Sequence, residues 1–455
     1  MTKELNTTGT WWLPSNPEMR IPGTLKFSTE EGGVLSLHGC FDEKTTMLNP
    51  SVILGASTKG KRLTLCECFE TKRSVSSGLS TSTFYSNLML IGAHFPSREG
   101  IRFRNFSVNY TRLDEWMNAS AFKISEPERG HLTVEYTQPK SHEIQIDDGL
   151  RIVIEFRYTP PGFYRVQTQA TVKHRPYVTI VPADEKGLDY FLDLIYDIQN
   201  FLTLSAMEPV YPERIVGGTE ASKFKVGDHV SYEPVELLFR QFERVRSHAV
   251  LRGDLLISFE DIYHQLRESF ANWIGTRELL GSVRDLYFGT LYNPGAYLQH
   301  QFLSLAQALE SYHRIRVRSE ELPQEEHVQR VKRILDAAGE GDRKWLEEKL
   351  RWSNELTFRT RLKELFHGLA DTVPSVIGDP DKFAGQVADT RNYLTHYDPE
   401  LKNRAASGTE LSKITERLKI VLQICLIREL GLNESTIRFL LMKSWTFRQR
   451  LDWLK

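Results

Sequence analysis

The stretch Asp389-Thr390-Arg391-Asn392-Tyr393-Leu394-Thr395-His396-Tyr397-Asp398-Pro399 reads as the last turns of a helix. Pro399 cannot continue a helix and disfavours a helical residue before it, so the helix should end near Asp398. At about 100° per residue, Asp389, Asn392 and His396 share one stripe, at spacings of three and four. Arg391 leaves about 140° round from His396, and its long stem can bring the guanidinium back. One short segment thus offers a carboxylate, an amide, a permanent cation and an imidazole beside a helix end. Such a set suits acid–base work and anion binding, although the same residues also occur on solvated helix ends.

Helical spacing extends well upstream. From about residue 257 the pattern predicts helices at 258–273, 276–291, 295–315, 324–338, 342–352, 357–370, 381–397, 408–430 and 434–450. Gly, Pro and Asn at 275–294, 339–341, 374–380, 399–407 and 431–433 mark most of the joints. Leu411, Ile414, Leu418, Val421, Leu422, Cys425 and Leu430 recur at helical spacing and predict a central helix. The run Arg314–Arg361 mixes both charge signs densely, as solvated helical surfaces do.

On the 295–315 helix, Phe302, Leu305, Leu309 and Tyr312 form the packing ridge. Beside it run Leu303, Ala306, Glu310 and His313. Glu310 is either a core-edge residue reaching solvent or a carboxylate that pairs with Arg391 and orients it. His313 reads as a structural histidine. Asp389 is either a helix-surface carboxylate or a group that holds the His396 imidazole. Tyr397 and Asp398 follow the segment without an assigned role.

Residues 1 to about 182 carry the other periodicity. Val34–Leu37, Leu63–Leu65, Leu132–Tyr136, Ile144–Ile146 and the alternating Ile152, Ile154, Phe156 and Tyr158 are β-prone, with polar or Gly/Pro turns between them. The pattern predicts a sandwich or barrel. Ile101 and Phe103, then Phe106, Val108 and Tyr110, alternate with a one-residue slip near Asn105, as at a bulge. Trp11 and Trp12 read either as a stacking platform or as core anchors. Cys66-x-Cys68 with Cys40, His38 and His94 matches no standard zinc spacing. Alternation places Cys66 and Cys68 on one face, as small apolar thiols. Near 187 the period changes to helical, with Tyr190, Phe191, Leu194, Ile198, Phe201 and Leu202. Residues 208–235 return to loops and strands.

A chain of 455 residues can bury two or three separate cores. Lys+Arg 58 against Asp+Glu 59 removes any global attraction to polyanions, so nucleic acid would need a local basic patch. Four cysteines are too few for a disulfide framework at this length. No apolar run approaches the ~20 residues of a membrane span, and the N-terminus lacks the apolar core of a signal peptide. These features predict a cytoplasmic chain.

The wording R-N-x-x-x-H, preceded by Asp-Thr and followed by Tyr-Asp, resembles the HEPN domain and is closest to its Apea-like branch. Near the N-terminus, Gly9-Thr10-Trp11-Trp12-Leu13-Pro14, then Pro22-Gly23-Thr24-Leu25, then Leu35-Ser36-Leu37-His38-Gly39 is similar to the domain that accompanies Apea-type HEPN proteins. The resemblance implies an α+β multidomain chain: an N-terminal all-β sandwich-like domain (1–185), a connecting helix and mixed segment (186–256) and an all-α HEPN-type bundle (257–455).

It also implies a metal-independent endoribonuclease, with 2′-OH attack giving 2′,3′-cyclic phosphate ends. Arg391, Asn392 and His396 would be catalytic, with Glu310 and Asp389 supporting. A helix C-terminus favours a cation, which suits a general-acid histidine. No metal or cofactor is expected. The implied partners are RNA, tRNA included, a second copy through the HEPN domain giving a homodimer or higher even oligomer, and a phage-derived trigger in abortive-infection defence. The alternative is a non-catalytic HEPN scaffold that binds RNA or a protein.

Overall fold

The computed structural model describes residues 4–42, 47–76, 79–162, 168–226, 229–241, 252–318 and 320–455. The chain divides into two compact units, Met1–Arg252 with Ile257–Arg267, and Gly253–Leu256 with Glu268–Lys455.

The first unit begins with β1 (Leu5–Trp12), β2 (Ile21–Ser28), β3 (Gly32–Leu37), β4 (Val52–Ser57), β5 (Arg62–Ser76) and β6 (Leu79–Ile91). They pair in the order β6-β3-β2-β1-β4-β5, and β5 pairs back to β6, closing a six-stranded barrel. Of the sandwich or barrel that the alternating pattern predicts, the structure forms the barrel, with an open extension. Strand length is the reason: β6 is 13 residues long and serves two sheet neighbours on one edge. Its Ser82–Ser86 half pairs with β3. Its Leu88–Ile91 half pairs with β18 (Val235–Phe239).

Beyond β6 the sheet runs β18-β15-β8-β13-β12-β11. These strands are β8 (Asn105–Tyr110), β11 (His142–Asp147), β12 (Leu150–Thr159), β13 (Lys173–Pro182) and β15 (Pro212–Gly218). The small pieces are β7 (Arg102–Phe103) with β14 (Lys186–Gly187), the hairpin β9 (Phe122–Glu128) with β10 (His131–Tyr136), and β16 (Lys223–Val226) with β17 (His229–Tyr232). The slip near Asn105 is a change of sheet: β7 pairs with β14, whereas β8 joins the main sheet. Two helices, α1 (Leu113–Met117) and α2 (Leu188–Ala206), cover the extension. Phe191 of α2 packs edge-on against Phe106 at 4.9 Å, and Phe201 against Trp116 at 5.9 Å. Residues 186–256, expected as a connecting segment, thus supply α2, β15 and β18 to the first unit.

The tryptophan pair is split by strand alternation. Trp11 is fully buried in the barrel core with Leu25, Phe27, Leu35 and Phe84. Trp12 faces the other way with Val52 and Leu54, under the Arg20 guanidinium at 4.4 Å. Neither is a free platform. Glycines make room for the Trp11 indole. A Cβ on Gly55 would overlap it, and one on Gly23 would sit 3.1 Å from it and 2.7 Å from Leu37. That is the physical content of the Pro-Gly-Thr-Leu wording.

Cys68 joins the same core cluster as Leu63 and Leu65, whereas Cys66 does not. Glu67 between them adopts a left-handed φ of 55°. Alternation therefore slips there, which corrects the single-face expectation for the two thiols.

The remaining helices are α3 (Phe259–Ile262), α4 (Leu266–Gly275), α5 (Arg277–Tyr292), α6 (Leu298–Arg316), α7 (Gln324–Ala337), α8 (Glu340–Leu350), α9 (Phe358–His367), α10 (Pro374–Ile377), α11 (Pro380–His396), α12 (Gly408–Arg428), α13 (Glu434–Lys443) and α14 (Trp445–Leu454). The expected 434–450 helix breaks at Ser444, whose hydroxyl accepts from the Phe447 amide at 3.2 Å and so starts α14. The expected 258–273 helix is interrupted by a 3-10 turn at Tyr263–Gln265. In the second unit α12 is the central element, with Ile420, Val421, Leu422, Ile424, Leu426 and Ile427 all buried. α6 packs against α5, α9, α11 and α12, and α9 packs against α11.

The barrel makes a direct prediction. Gly55→Val, which drives a side chain into the Trp11 indole, should destabilise the first unit by about 1–3 kcal/mol. Trp11→Ala should cost about 3–5 kcal/mol. Urea unfolding followed by circular dichroism measures both, and an unshifted midpoint would contradict the assigned packing.

Candidate active site

Helix α11 is started by its own sequence. The Asp379 carboxylate accepts from the amides of Asp381 and Lys382, each at 3.0 Å, and Pro380 occupies the first turn. Phe383, Ala384, Val387 and Ala388 form the buried face. The Phe383 ring stacks on Phe366 of α9 at 4.5 Å, with the Arg417 guanidinium of α12 3.6 Å from its centre. At the far end Tyr397 takes a left-handed conformation, φ 52°, and its amide donates to the Tyr393 carbonyl at 2.6 Å. The Asp398 side chain then accepts from the Glu400 amide at 3.0 Å and opens a 3-10 turn, Pro399–Leu401.

That ending leaves His396 exposed in the last turn of α11. Among the described residues its imidazole makes no hydrogen bond or ion pair. Asn392 lies one turn back on the same face.

The structure brings Glu310, Arg391 and Asn392 together. Arg391 Nη2 is 3.7 Å from Glu310 Oε2, where α6 passes α11. Arg391 Nη1 donates to Asn392 Oδ1 at 3.2 Å, and the guanidinium sits 5.3 Å from the Phe358 ring centre at the start of α9. The guanidinium is thus bracketed by a carboxylate, an amide oxygen and an aromatic face, yet its side chain keeps 35 % exposure. An anion arriving from solvent can still reach it.

Asp389 does something other than hold the imidazole. Its carboxylate is nearly buried and takes two guanidinium groups: Arg359 Nη2 donates to Oδ1 at 2.5 Å, and Arg404 Nη2 lies 2.5 Å from Oδ2. His396 is seven residues further on, roughly 10 Å along the helix axis. Arg404 reaches Asp389 because the chain after His396 turns back along α11. The Ala406 amide donates to Thr390 Oγ1 at 3.0 Å, and Thr390 in turn donates to the Gln386 carbonyl at 2.7 Å.

Sequence reasoning missed Arg359, Arg404 and Phe358. Arg359 and Phe358 lie in or beside the mixed-charge run that reads as ordinary solvated surface. No spacing rule links Arg404 to Asp389, since a folded-back loop joins them. Three guanidinium groups, Arg391, Arg359 and Arg404, thus stand on or against α11, opposed by the two carboxylates of Glu310 and Asp389.

His313 is fully buried, as expected of a structural histidine. Its Nε2 is 2.8 Å from Glu364 Oε2, and Arg361 Nη1 lies 3.4 Å from its Nδ1. Burial holds its imidazole below the ordinary range, against the upward pull of Glu364. All four cysteines are free and buried, Cys40, Cys66 and Cys68 in the first unit and Cys425 in the second. Burial pushes the Cys66 thiol up to about 12. His94 Nε2 donates to the Gly55 carbonyl at 2.8 Å.

A β barrel with an open sheet extension, and separately a helical bundle whose α11 presents R-N-x-x-x-H, define a HEPN-type protein with an accessory β domain. Family models match in the same order: ApeA N-terminal domain 1 over residues 6–273 and Apea-like HEPN over residues 303–436. The first alone covers more than half of the chain, and the second contains Glu310 and the whole 389–399 stretch. The chain therefore belongs to the ApeA-type HEPN family, a family of defence nucleases. HEPN domains typically act as dimers and bind RNA. No curated protein and no solved structure matches the chain. Among the described residues no helix is long and apolar enough to cross a membrane.

If Asp389 is the clamp between α9, α11 and the returning loop, Asp389→Ala should cost about 1–3 kcal/mol in the second unit. It should also expose the Ala406 amide to hydrogen exchange. Unchanged protection at Ala406 would show that the loop is held by other contacts.

Proposed function

We propose that this protein is a metal-independent endoribonuclease of the HEPN type. The observation that carries the reading is the exposed His396 imidazole, at the open end of α11 and five residues from a braced but accessible Arg391.

RNA contains its own nucleophile. Attack of the 2′-OH oxygen on the adjacent phosphorus forms the O2′–P bond as the P–O5′ bond breaks. One proton must leave the 2′ oxygen and one must reach the departing 5′ oxygen. The products are a 2′,3′-cyclic phosphate and a 5′-hydroxyl. An imidazole at a helix C-terminus is suited to give the proton to O5′. Arg391 presents planar donors to the phosphoryl oxygens as charge builds on them, with Glu310 setting the tilt of the guanidinium and Asn392 limiting its swing. Arg359 and Arg404, fixed by Asp389, extend the cationic surface toward neighbouring phosphates.

One segment supplies one imidazole, whereas the reaction moves two protons. A second copy of the chain would supply the other, so the active species is a homodimer or a higher even assembly. Family membership supports a role in anti-phage abortive infection, with the β unit sensing a phage-derived trigger that raises a basal cleavage rate.

Purified protein incubated with tRNA and total RNA in excess chelator should generate 2′,3′-cyclic ends. His396→Ala should slow this at least about 100-fold, the usual scale of acid–base assistance. Arg391→Ala should act similarly, and Glu310→Gln less strongly. Cleavage by His396→Ala at the native rate would remove His396 from the site. RNA that is bound but never cut would favour a binding-only HEPN scaffold.

A further inference from the structure

The hairpin of α7 and α8 leaves the second unit between α6, which carries Glu310, and α9, which carries Arg359. Its base is fastened. The Leu322 amide donates to Asn354 Oδ1 and Asn354 Nδ2 donates to the Leu322 carbonyl, both at 3.0 Å, and His327 meets Ser353 at 2.9 Å. Beyond that base the hairpin has little core. His327 is the one buried residue of α7, and α8 has none.

Yet α7 is built to bury a face. Val328, Val331 and Leu335 recur at helical spacing and, with Leu350 of α8, line a groove of about 370 Å³. Val328 is 53 % exposed, and Trp345 and Trp352 are 59 % and 66 % exposed. Val331 and Leu335 are only half-buried, and a helical hairpin whose apolar stripe is covered on one side can complete a four-helix bundle with a second hairpin.

Charge points to what covers the stripe. Residues 324–352 contain seven acidic and seven basic side chains. A neutral surface has no attraction for RNA, but it suits a partner of the same composition. Glu325 lies one turn before Val328 and Lys332 one turn after it, on the same side of α7. Among the described residues neither has an ion-pair partner. A two-fold axis through Val328 would set two α7 helices antiparallel, with each Glu325 against Lys332 of the second copy, as a self-complementary interface requires.

We propose that the α7–α8 hairpin is the self-association surface of this protein, joining two copies of the chain through the Val328–Val331–Leu335 stripe in a four-helix arrangement. The inference rests on the ribonuclease reading only for its purpose, which is to hold the second copy that reading calls for, and its test reads association directly.

In sedimentation velocity on the full chain, Val328→Glu should weaken self-association at least about tenfold. Glu325→Lys and Lys332→Glu should each weaken it, and the double reversal E325K/K332E should restore it. Because all four native cysteines are buried, Val328→Cys adds one accessible thiol at the axis and should give a disulfide-linked dimer with oxidised glutathione. Native association in Val328→Glu, no recovery in the double reversal, or no covalent dimer from Val328→Cys would each overturn the interface. Unchanged association with weaker RNA binding would overturn it too, in favour of an RNA contact. Association that follows these substitutions in a chain that never cuts RNA upholds the interface and removes only the ribonuclease reading.

Discussion

The geometry around the R-N-x-x-x-H segment depends on one carboxylate. Asp389 is almost out of solvent, and a carboxylate there costs several kcal/mol unless opposite charge and hydrogen bonds surround it. Arg359 and Arg404 meet that requirement from different parts of the chain, the start of α9 and the loop after α11. Satisfying Asp389 therefore fixes three segments at once. Phe358, the neighbour of Arg359, is held where its ring lies beside the Arg391 guanidinium. The returning loop is held where Ala406 can reach Thr390. His396 is left beyond the clamp, on a turn that the described residues leave exposed.

The clamp also divides labour among the titratable groups. Asp389 and Glu310 both pair with arginines, but to different ends. Asp389 is consumed by two cations and serves the architecture. Glu310 stands 3.7 Å from Arg391, outside hydrogen-bond range, and leaves that guanidinium partly open. His313, on the same helix as Glu310, is drawn into a buried cluster with Arg361 and Glu364. Two histidines of one unit thus follow opposite courses, one sealed in and one presented.

Charge is likewise distributed by segment. A net charge of −1 over the chain conceals a cluster at Arg391, Arg359 and Arg404, where three guanidinium groups meet two carboxylates, and a neutral hairpin at α7–α8. In the β unit, steric room is the organising constraint. Trp11 needs Gly55 and Gly23 beside it, and the long β6 must serve both the closed barrel and its extension.

Local periodicity was enough to place most of the elements. The helix ends at Pro399 and Asp379, the central α12 and the alternating β12 follow from proline stereochemistry, side-chain capping and apolar spacing, all of which act within a few residues. The pairing of Trp-Trp-Leu-Pro with R-N-x-x-x-H was also readable, because each is a contiguous wording. What lay beyond reach was anything set by long-range closure. Barrel rather than sandwich depends on β5 finding β6 across the sheet order. The slip at Glu67 depends on a single left-handed residue. The partners of Asp389 come from 30 residues before it and 15 after it, from a helix and a loop with no shared spacing. Sequence determined which side chains were available near His396. Tertiary structure decided which of them were already spent on one another, since a buried carboxylate takes whichever cations the fold brings to it.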